Sequence, residues 1–515
     1  MQPLKAAAAE AVRADVVVVG AGLAGLATAY TVASRSDRQV IVIDKALRVG
    51  AHSLSGALVD RRTWLEVFGK LPDCACPISR QRMAWLTQRA HVSVPALPPI
   101  RGSGCFLASY GRLCQWAAQR CEEQGVEVHT ELSAQEPVVE DGRVTGLRLL
   151  GADTVRADCI VLAEGACGVV TRQVLENLGD GARSGRPHSY ALGLKILVEA
   201  GDDSLSGQVY HSIGYPLGLR RFGGGFIYGI GRQLHVGLVV GLAGHDPGAD
   251  PQDLFERYLR HPFVRKFMER RTLVGFGAKI LDETGYWGMP APSAPGMALV
   301  GEAAGLLNSM KLKGIGLALV SGQVLGRVLA ERAPLEEYSR RLRATREFRA
   351  FYRARNVHSY FRRGGLPAGM AATGLAMLTG GLLPWRIRHD APAEGAKGID
   401  REGCARPLDV SRAAKPGHGN GRSHAFRSSL MYLTQVVNRG PTHIHLPYDD
   451  NGVALRVGRL CEQVCPAGVY ASDGEADEVI ISPEDCLHCG ACRAVTSGQG
   501  LQWSPPVDGP RYNMM

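Results

Sequence analysis

A strand, a glycine turn, a helix and a second strand follow one another near the start of this chain, and no other stretch restricts its fold as tightly. Asp15-Val16-Val17-Val18-Val19 is a β-branched run of buried-strand length. Gly20-Ala21-Gly22-Leu23-Ala24-Gly25 follows at once, and an apolar helical stretch runs from Leu26 to about Ser34. The next strand, Gln39-Val40-Ile41-Val42-Ile43, ends in Asp44 and Lys45. Gly20, Gly22 and Gly25 thus form Gly-x-Gly-x-x-Gly in the first turn of a β-α-β unit. Glycines there let the backbone approach a pyrophosphate, and the helix N-terminus faces the phosphates. Asp44 stands 19 residues after Gly25, where a carboxylate binds a ribose hydroxyl. The unit predicts dinucleotide binding through Gly20, Gly22, Gly25, Asp44 and Lys45; the bland alternative is a helix-packing turn.

Two later stretches favour FAD over NAD(P). Ile160-Val161-Leu162-Ala163-Glu164-Gly165 is a strand entering a small-residue turn, similar to the second flavoprotein motif, so Glu164 and Gly165 are candidate cofactor contacts. Met297-Ala298-Leu299-Val300-Gly301-Glu302-Ala303-Ala304-Gly305 resembles the late flavoprotein motif, in which a strand meets a helix beside the ribityl chain. Gly301 and Glu302 are the candidates there, with Glu302 where many flavoproteins have Asp. No second strand-GxGxxG-helix unit follows, since Gly314-Ile315-Gly316 lacks a preceding strand.

The 515 residues suggest about three domains. A content of 45% hydrophobic and 21% charged residues is that of a folded protein. Sixty-four glycines without a Gly-X-Y period exclude collagen. Of 13 cysteines, five lie in the last 55 residues and the rest are scattered. That is no secreted disulfide framework, and it points to a reducing compartment with one local cysteine site. Met1 to Arg13 reads as a short leader without transit-peptide character.

The local site is Cys486-Leu-His-Cys489-Gly-Ala-Cys492 with an upstream Cys461-x3-Cys465-Pro466. Each half of a two-cluster ferredoxin reads Cx2Cx2Cx3CP, and the fourth cysteine of each half serves the other half's cluster. On that frame the first half has Leu455, Gly458, Cys461 and Cys465, and the second has Cys486, Cys489, Cys492 and Thr496. One cluster keeps all its ligands: Cys465, Cys486, Cys489 and Cys492. The other cannot form, and Cys461 is its remnant. One [4Fe–4S] cluster is expected; a four-cysteine zinc site is the rival, disfavoured because structural zinc sites usually use paired Cx2C knuckles. His488 is read as a loop residue tuning the cluster.

Residues 364–385, Gly364 to Trp385, carry no charge, enough in length to cross a bilayer. Six glycines, two prolines and arginines on both flanks oppose a crossing. A segment lying in one leaflet with Trp385 at the interface fits better, and a buried core helix is the alternative. Arg340 to Arg363 holds nine arginines and one acid, Glu347, suited to anionic headgroups, to a protein partner or to a solvated face. Val92 to Ile100 is a second, smaller apolar stretch. The net charge of +10 therefore points to a membrane surface or a protein partner, with no nucleic acid expected.

Taken together these pieces resemble the electron-transfer flavoprotein–ubiquinone oxidoreductase family, from about Ala14 to Met515. The likeness is carried by Gly50-Ala-His-Ser-Leu-Ser-Gly-Ala57, Phe222-Gly-Gly-Gly-Phe226, Lys311-Leu-Lys-Gly314, Pro384-Trp385, Cys465-Pro-Ala-Gly-Val-Tyr470, the Cx2Cx2C run and Gly509-Pro-Arg-Tyr-Asn-Met514. The resemblance implies an oxidoreductase that binds FAD and one [4Fe–4S] cluster, takes electrons from reduced electron-transfer flavoprotein and reduces ubiquinone to ubiquinol. By position it implies quinone binding at Gly223 and Gly224, with Phe222 where relatives often carry an aromatic hydroxyl. No catalytic side chain is expected, because the cofactors do the chemistry.

It also implies an α/β (α+β overall) fold: a Rossmann-like FAD domain with an inserted quinone domain, a C-terminal ferredoxin-like domain, and monotopic membrane association. The expected division is 14–100, 101–180 and 291–335 for FAD, 181–290 for quinone, 336–390 for the Arg-rich and apolar segment, 391–427 for a linker, and 428–515 for the cluster. The expected location is the cytoplasmic face of a bacterial inner membrane, or the mitochondrial inner membrane in a eukaryote. The alternatives are a nitrogen-fixation-type flavoprotein–ferredoxin fusion, a flavin monooxygenase or prenyl reductase, and an electron relay without turnover.

Overall fold

Val16 to Val19 are buried one after another because their strand is covered on both faces. In the computed structural model, Val12–Val19 sits inside an eight-stranded sheet. Its main path runs Ser293–Ala294, Met297–Leu299, Thr154–Leu162, Val12–Val19, Val40–Ile43, Glu127–His129. Val12–Val19 pairs in parallel with Thr154–Leu162 and Val40–Ile43. The Leu23–Ala33 helix crosses between the first two strands of the sequence and packs on the Gly314–Ala330 helix. That approach needs Gly322, where a Cβ would lie 2.2 Å from the Ala24 carbonyl oxygen.

The structure describes residues 12–512 except 55–57, 95–101, 103, 152, 178–188, 220, 243–249, 309–313, 380–429, 432, 440–442, 447–452, 474–477, 497–499 and 505–506; it does not describe the side chains of 358, 362–364, 377–378, 435, 439, 453, 473 and 507–508. The expected linker 391–427, Trp385 and Lys311 to Lys313 lie outside the described residues.

A seven-stranded sheet runs in the order Thr272–Asp282, Tyr190–Glu199, Gln233–Gly241, Gly223–Ile230, Gln208–Gly214, Arg80–Leu86, His91–Val94. Residues 80–94 therefore pair with the second sheet, although the sequence reading grouped them with the first flavin-binding stretch. Arg80–Leu86 runs parallel to Gln208–Gly214, a pairing between strands far apart in the chain that no local pattern announces. Side chains alternate across a sheet. With Gly224 opposite Val239, Phe226 opposite Gly237 and His211, and Tyr228 opposite His235, these residues share one face. Gly193, Lys195 and Leu197 lie opposite Val239, Gly237 and His235 on that same face.

The C-terminal region is built from short pairs: Gln435–Arg439 with Val507–Arg511, Ile444–His445 with Gln502–Trp503, and Tyr470–Asp473 with Glu478–Ile481. Helices Val453–Val464 and Ala491–Thr496 complete it. Its core joins that of the seven-stranded sheet, with Phe276 and Ile280 beside Leu487 and Ala491.

The Val357–Leu378 helix breaks at Gly365, φ 62°, one position before Leu366 and two before Pro367. Leu366 and Thr373 are buried, while Leu375 is 52% exposed, so the helix is neither a core helix nor fully uncovered. No helix among the described residues is long and apolar enough to cross a membrane. Several arginines of the basic run are held locally: Arg340 and Arg341 by Glu337, Arg341 also by Glu331, and Arg346 by Glu347.

Candidate functional site

The glycine turn works by close approach. Gly20 has φ +106°, and a Cβ there would lie 2.6 Å from the Ala163 carbonyl oxygen. A Cβ on Gly25 would lie 2.2 Å from the Gly20 carbonyl oxygen. The turn thus presses on the end of the Thr154–Leu162 strand, and the Leu23–Ala33 helix presses on the turn. Gly22 caps this helix without a side chain, so the helix N-terminus opens into a cavity of about 540 Å³. The Asp44 carboxylate accepts from the Ala21 amide at 2.8 Å and the Ala46 amide at 2.9 Å, which orients it at the turn.

Gly20, Gly22, Asp44, Lys45, Glu164, Gly165, Glu302, Gly223 and Gly224 all line this cavity. Gly25 and Gly301 do not, and serve packing; a Cβ on Gly301 would meet the Ala24 Cβ at 2.7 Å. The Glu164 carboxylate is turned to the Val169–Asn177 helix, accepting from the Val169, Val170 and Thr171 amides at 3.1, 3.3 and 2.7 Å. Its carboxylate caps that helix. Glu302 is half-buried, and its carboxylate accepts from the Asp282 amide at 2.8 Å. Burial first, then the neighbouring Asp282 and Glu283 charges, push its pKa up to about 7, against the pull of that hydrogen bond.

The other end of the cavity lies on the second sheet. Gly223 has φ +142°, and its Cβ would fall 2.1 Å from the Val239 carbonyl oxygen. Phe222 and Phe361 meet edge to face at 5.4 Å, and Leu366 and Met370 of the broken helix close the wall. Flat backbone beside apolar side chains suits a planar ring.

Cys465, Cys486, Cys489 and Cys492 are buried and line one small cavity with Tyr470 and Leu487. No disulfide joins them. Cys461 is buried but stands outside that lining. The buried Tyr470 hydroxyl makes no hydrogen bond within normal geometry. It nevertheless stands close enough to Cys492 to pull that thiol's pKa down, against burial, which sets it at about 11. An orphaned donor aimed among four thiols fits an inorganic sulfur acceptor.

A single zinc with bonds of about 2.3 Å would hold four sulfurs about 3.8 Å apart. Among the described residues, the only His, Cys, Asp or Glu donor trio within 4.8 Å of one another is His443, Cys486 and His488. The four thiols are therefore spread wider than zinc requires. The trio itself opposes a cation, because the Lys45 ammonium sits 3.2 Å from His488 Nδ1.

The cysteine loop docks on the seven-stranded sheet and on the Gly165–Cys167 turn through contacts that sequence reasoning missed. The Ile280 amide donates to the Cys489 carbonyl at 2.9 Å, and the Lys279 ammonium donates to the His488 carbonyl at 3.3 Å. Arg493 donates to the Cys167 carbonyl at 2.6 Å. Tyr512 donates to the Leu487 carbonyl at 3.2 Å. Lys45 also lies 5.3 Å over the Trp503 ring, and burial together with Lys279 lowers its pKa to about 8. His488 has φ +49°, is buried, and lines the large cavity. The signal available in the sequence was its place inside the cysteine run.

Three family models match the chain: "NAD(P)-binding Rossmann-like domain" over residues 18–75, "ETF-QO, ubiquinone-binding" over 190–281, and "Electron transfer flavoprotein-ubiquinone oxidoreductase, 4Fe-4S" over 427–513. The mitochondrial electron transfer flavoprotein-ubiquinone oxidoreductase of Oryza sativa is 30% identical, over 98% of this chain and 94% of the relative. This chain belongs to the electron-transfer flavoprotein–ubiquinone oxidoreductase family. Family members from Caenorhabditis elegans and Homo sapiens are 30% and 29% identical, over 92% and 89% of their lengths and 97% and 98% of this chain. Among solved structures, a geranylgeranyl bacteriochlorophyll reductase-like protein of Thermoplasma acidophilum superposes with a TM-score of 0.52 at 16% identity, covering 71% of this chain and 96% of its own. A myxobacterial chondrochloren halogenase superposes with a TM-score of 0.50 at 18% identity, covering 72% of this chain and 90% of its own. These two share the fold alone.

Proposed function

We infer that this family member is an electron-transfer flavoprotein:ubiquinone oxidoreductase, which accepts electrons from reduced electron-transfer flavoprotein and reduces ubiquinone to ubiquinol. It carries FAD and one [4Fe–4S] cluster. One observation carries the reading: a single cavity extends from the Gly20 turn to Gly223 and Gly224 and is touched by His488 of the cysteine loop. A cluster held by the four cysteines would carry single electrons, and a flavin in the large cavity one or two, which would match a one-electron donor to a two-electron acceptor.

The roles of the chain's own residues are proposed as follows. Gly20, Gly22 and the amides of the Leu23–Ala33 helix receive the pyrophosphate, Asp44 the ribose, and the 301–302 turn the ribityl chain. Cys465, Cys486, Cys489 and Cys492 hold the cluster. Gly223 and Gly224 lie under the quinone head. The division proposed follows the sheets: 12–78, 105–177 and 289–330 for FAD, 80–94 and 189–282 for quinone, 430–512 for the cluster. We place the protein peripherally on a membrane, by the uncharged segment 364–385; among its described residues Leu375 is more than half exposed, as is nearby Leu219. The inner face of a bacterial inner membrane, or the mitochondrial inner membrane in a eukaryote, is the proposed location.

The test uses purified holoprotein. Reduced electron-transfer flavoprotein with a short-chain ubiquinone yields steady quinol, and analysis yields FAD, iron and acid-labile sulfide. Zinc without sulfide ends the cluster assignment. Cofactor reduction without turnover makes the protein a relay, and NADPH-dependent oxygen consumption makes it a monooxygenase.

A further inference from the structure

Quinone reduction consumes two protons with its two electrons, and the wall beside Gly224 holds buried groups able to move them. His211 and Tyr228 both line the cavity, and both are buried. His211 Nε2 lies 2.8 Å from the Tyr228 hydroxyl. His211 stands opposite Phe226, one pair along from Gly224 on the same face, within side-chain reach of a ring held over that glycine. Lys195 also lines the cavity on this face, 1% exposed, and lies diagonally across from His235, which faces Tyr228. A Leu or Ile would fill that position in a sheet core at less cost than a lysine.

We propose that His211 donates a proton to the quinone oxygen on its side of the cavity, and that Tyr228 supplies the imidazole's replacement proton. The inference rests on the quinone lying at Gly223 and Gly224. Two electrons would reach the quinone from bound flavin in the reaction proposed above. One proton passes from Nδ1 of the imidazole to the near oxygen, forming an O–H bond as an N–H bond breaks, while the Tyr228 hydroxyl gives its proton to Nε2. Water in the cavity then protonates Nδ1, and the Nε2 proton returns to the phenolate, so both groups start the next turnover as before. The far oxygen takes its proton from water at the cavity mouth. The other charged or titratable groups facing this pair are Lys195, His235 and Lys279 on the same sheet face, Arg112, whose charge acts on His235, and Tyr258, whose charge acts on Tyr228.

The experiment compares two acceptors, a short-chain ubiquinone and ferricyanide, which takes an electron without a proton. His211→Asn lowers kcat for ubiquinone on the order of 100-fold, with a quinone KM changed less than about threefold and a ferricyanide rate that does not follow. Tyr228→Phe acts in the same direction and stands in if His211→Asn fails to fold. Unchanged ubiquinone kcat in both His211→Asn and Tyr228→Phe overturns the relay, and so does an equal loss with both acceptors. An azido-ubiquinone photolabel separates the two readings. Label within residues 208–230 supports the quinone site whatever His211 does, and label elsewhere overturns that site and the relay with it.

Discussion

Around Gly20 the chain offers a ligand its backbone, and around Cys489 it offers side chains. The glycine turn stands at the end of an inner strand of an eight-stranded sheet whose valines and leucines pack on one another. The cysteine region has only two-stranded pairs, and Cys461, Cys465, Cys486, Cys489 and Cys492 are themselves part of its core. Removing a cofactor should therefore leave the first region folded and loosen the second, because metal binding there is also folding energy. The two regions meet through Arg493 on the Cys167 carbonyl and Lys45 beside His488. The cysteine region otherwise leans on Phe276, Ala278 and Ile280 of the seven-stranded sheet, through Thr434, Tyr512 and the Cys489 carbonyl.

The largest effect expected is that of Cys489→Ser. It abolishes the electron paramagnetic resonance signal of the reduced cluster and lowers ubiquinone reduction by more than about 100-fold. Limited proteolysis then cuts within 430–512 while FAD stays bound; loss of FAD at the same time would break the contrast. Gly20→Ala is the converse. A side chain at φ +106° and 2.6 Å from a carbonyl oxygen cannot be housed without moving the turn, so FAD content falls severalfold while the cluster signal persists.

Glu302→Gln is a smaller change and sharpens the comparison through pH. The folded Glu302 pKa of about 7 lies above the ordinary 4.5, so between those values the folded protein keeps a proton that the unfolded chain has lost. Stability therefore falls as pH rises through that window. Glu302→Gln flattens this slope in thermal unfolding of the flavin region, by a few degrees in Tm. Cys461→Ser is the smallest. It leaves the cluster signal in place, because Cys461 lies outside the cavity of the four ligands, and costs only the repacking of one buried atom.

Both cofactor regions were legible in the sequence because each writes its chemistry in local spacing. Gly20, Gly22 and Gly25 stand within one turn, and the Cys486 to Cys492 run is a single loop. Even Cys465, which is remote, is found by the frame of a repeated motif. Local spacing does not show that the Glu164 carboxylate caps a helix, or that Gly25 and Gly301 close packing contacts. A motif tells which residue types stand together, and it does not tell which way a side chain turns.

Spacing along the chain pointed to the dinucleotide turn and to four cysteine ligands with Cys461 left over, while the glycine pair expected under a flat ring came from the family resemblance by position. Tertiary structure decided what crosses the chain. It brought Lys45 to His488 across 443 residues and seated Ile280 on the Cys489 carbonyl. It also added residues 80–94 to the second sheet and set Lys195, His211, Tyr228 and His235 on one cavity-facing surface. The physical reason is register. A strand's neighbours are set by hydrogen bonds to distant backbone, and a shift of one residue sends every side chain to the other face.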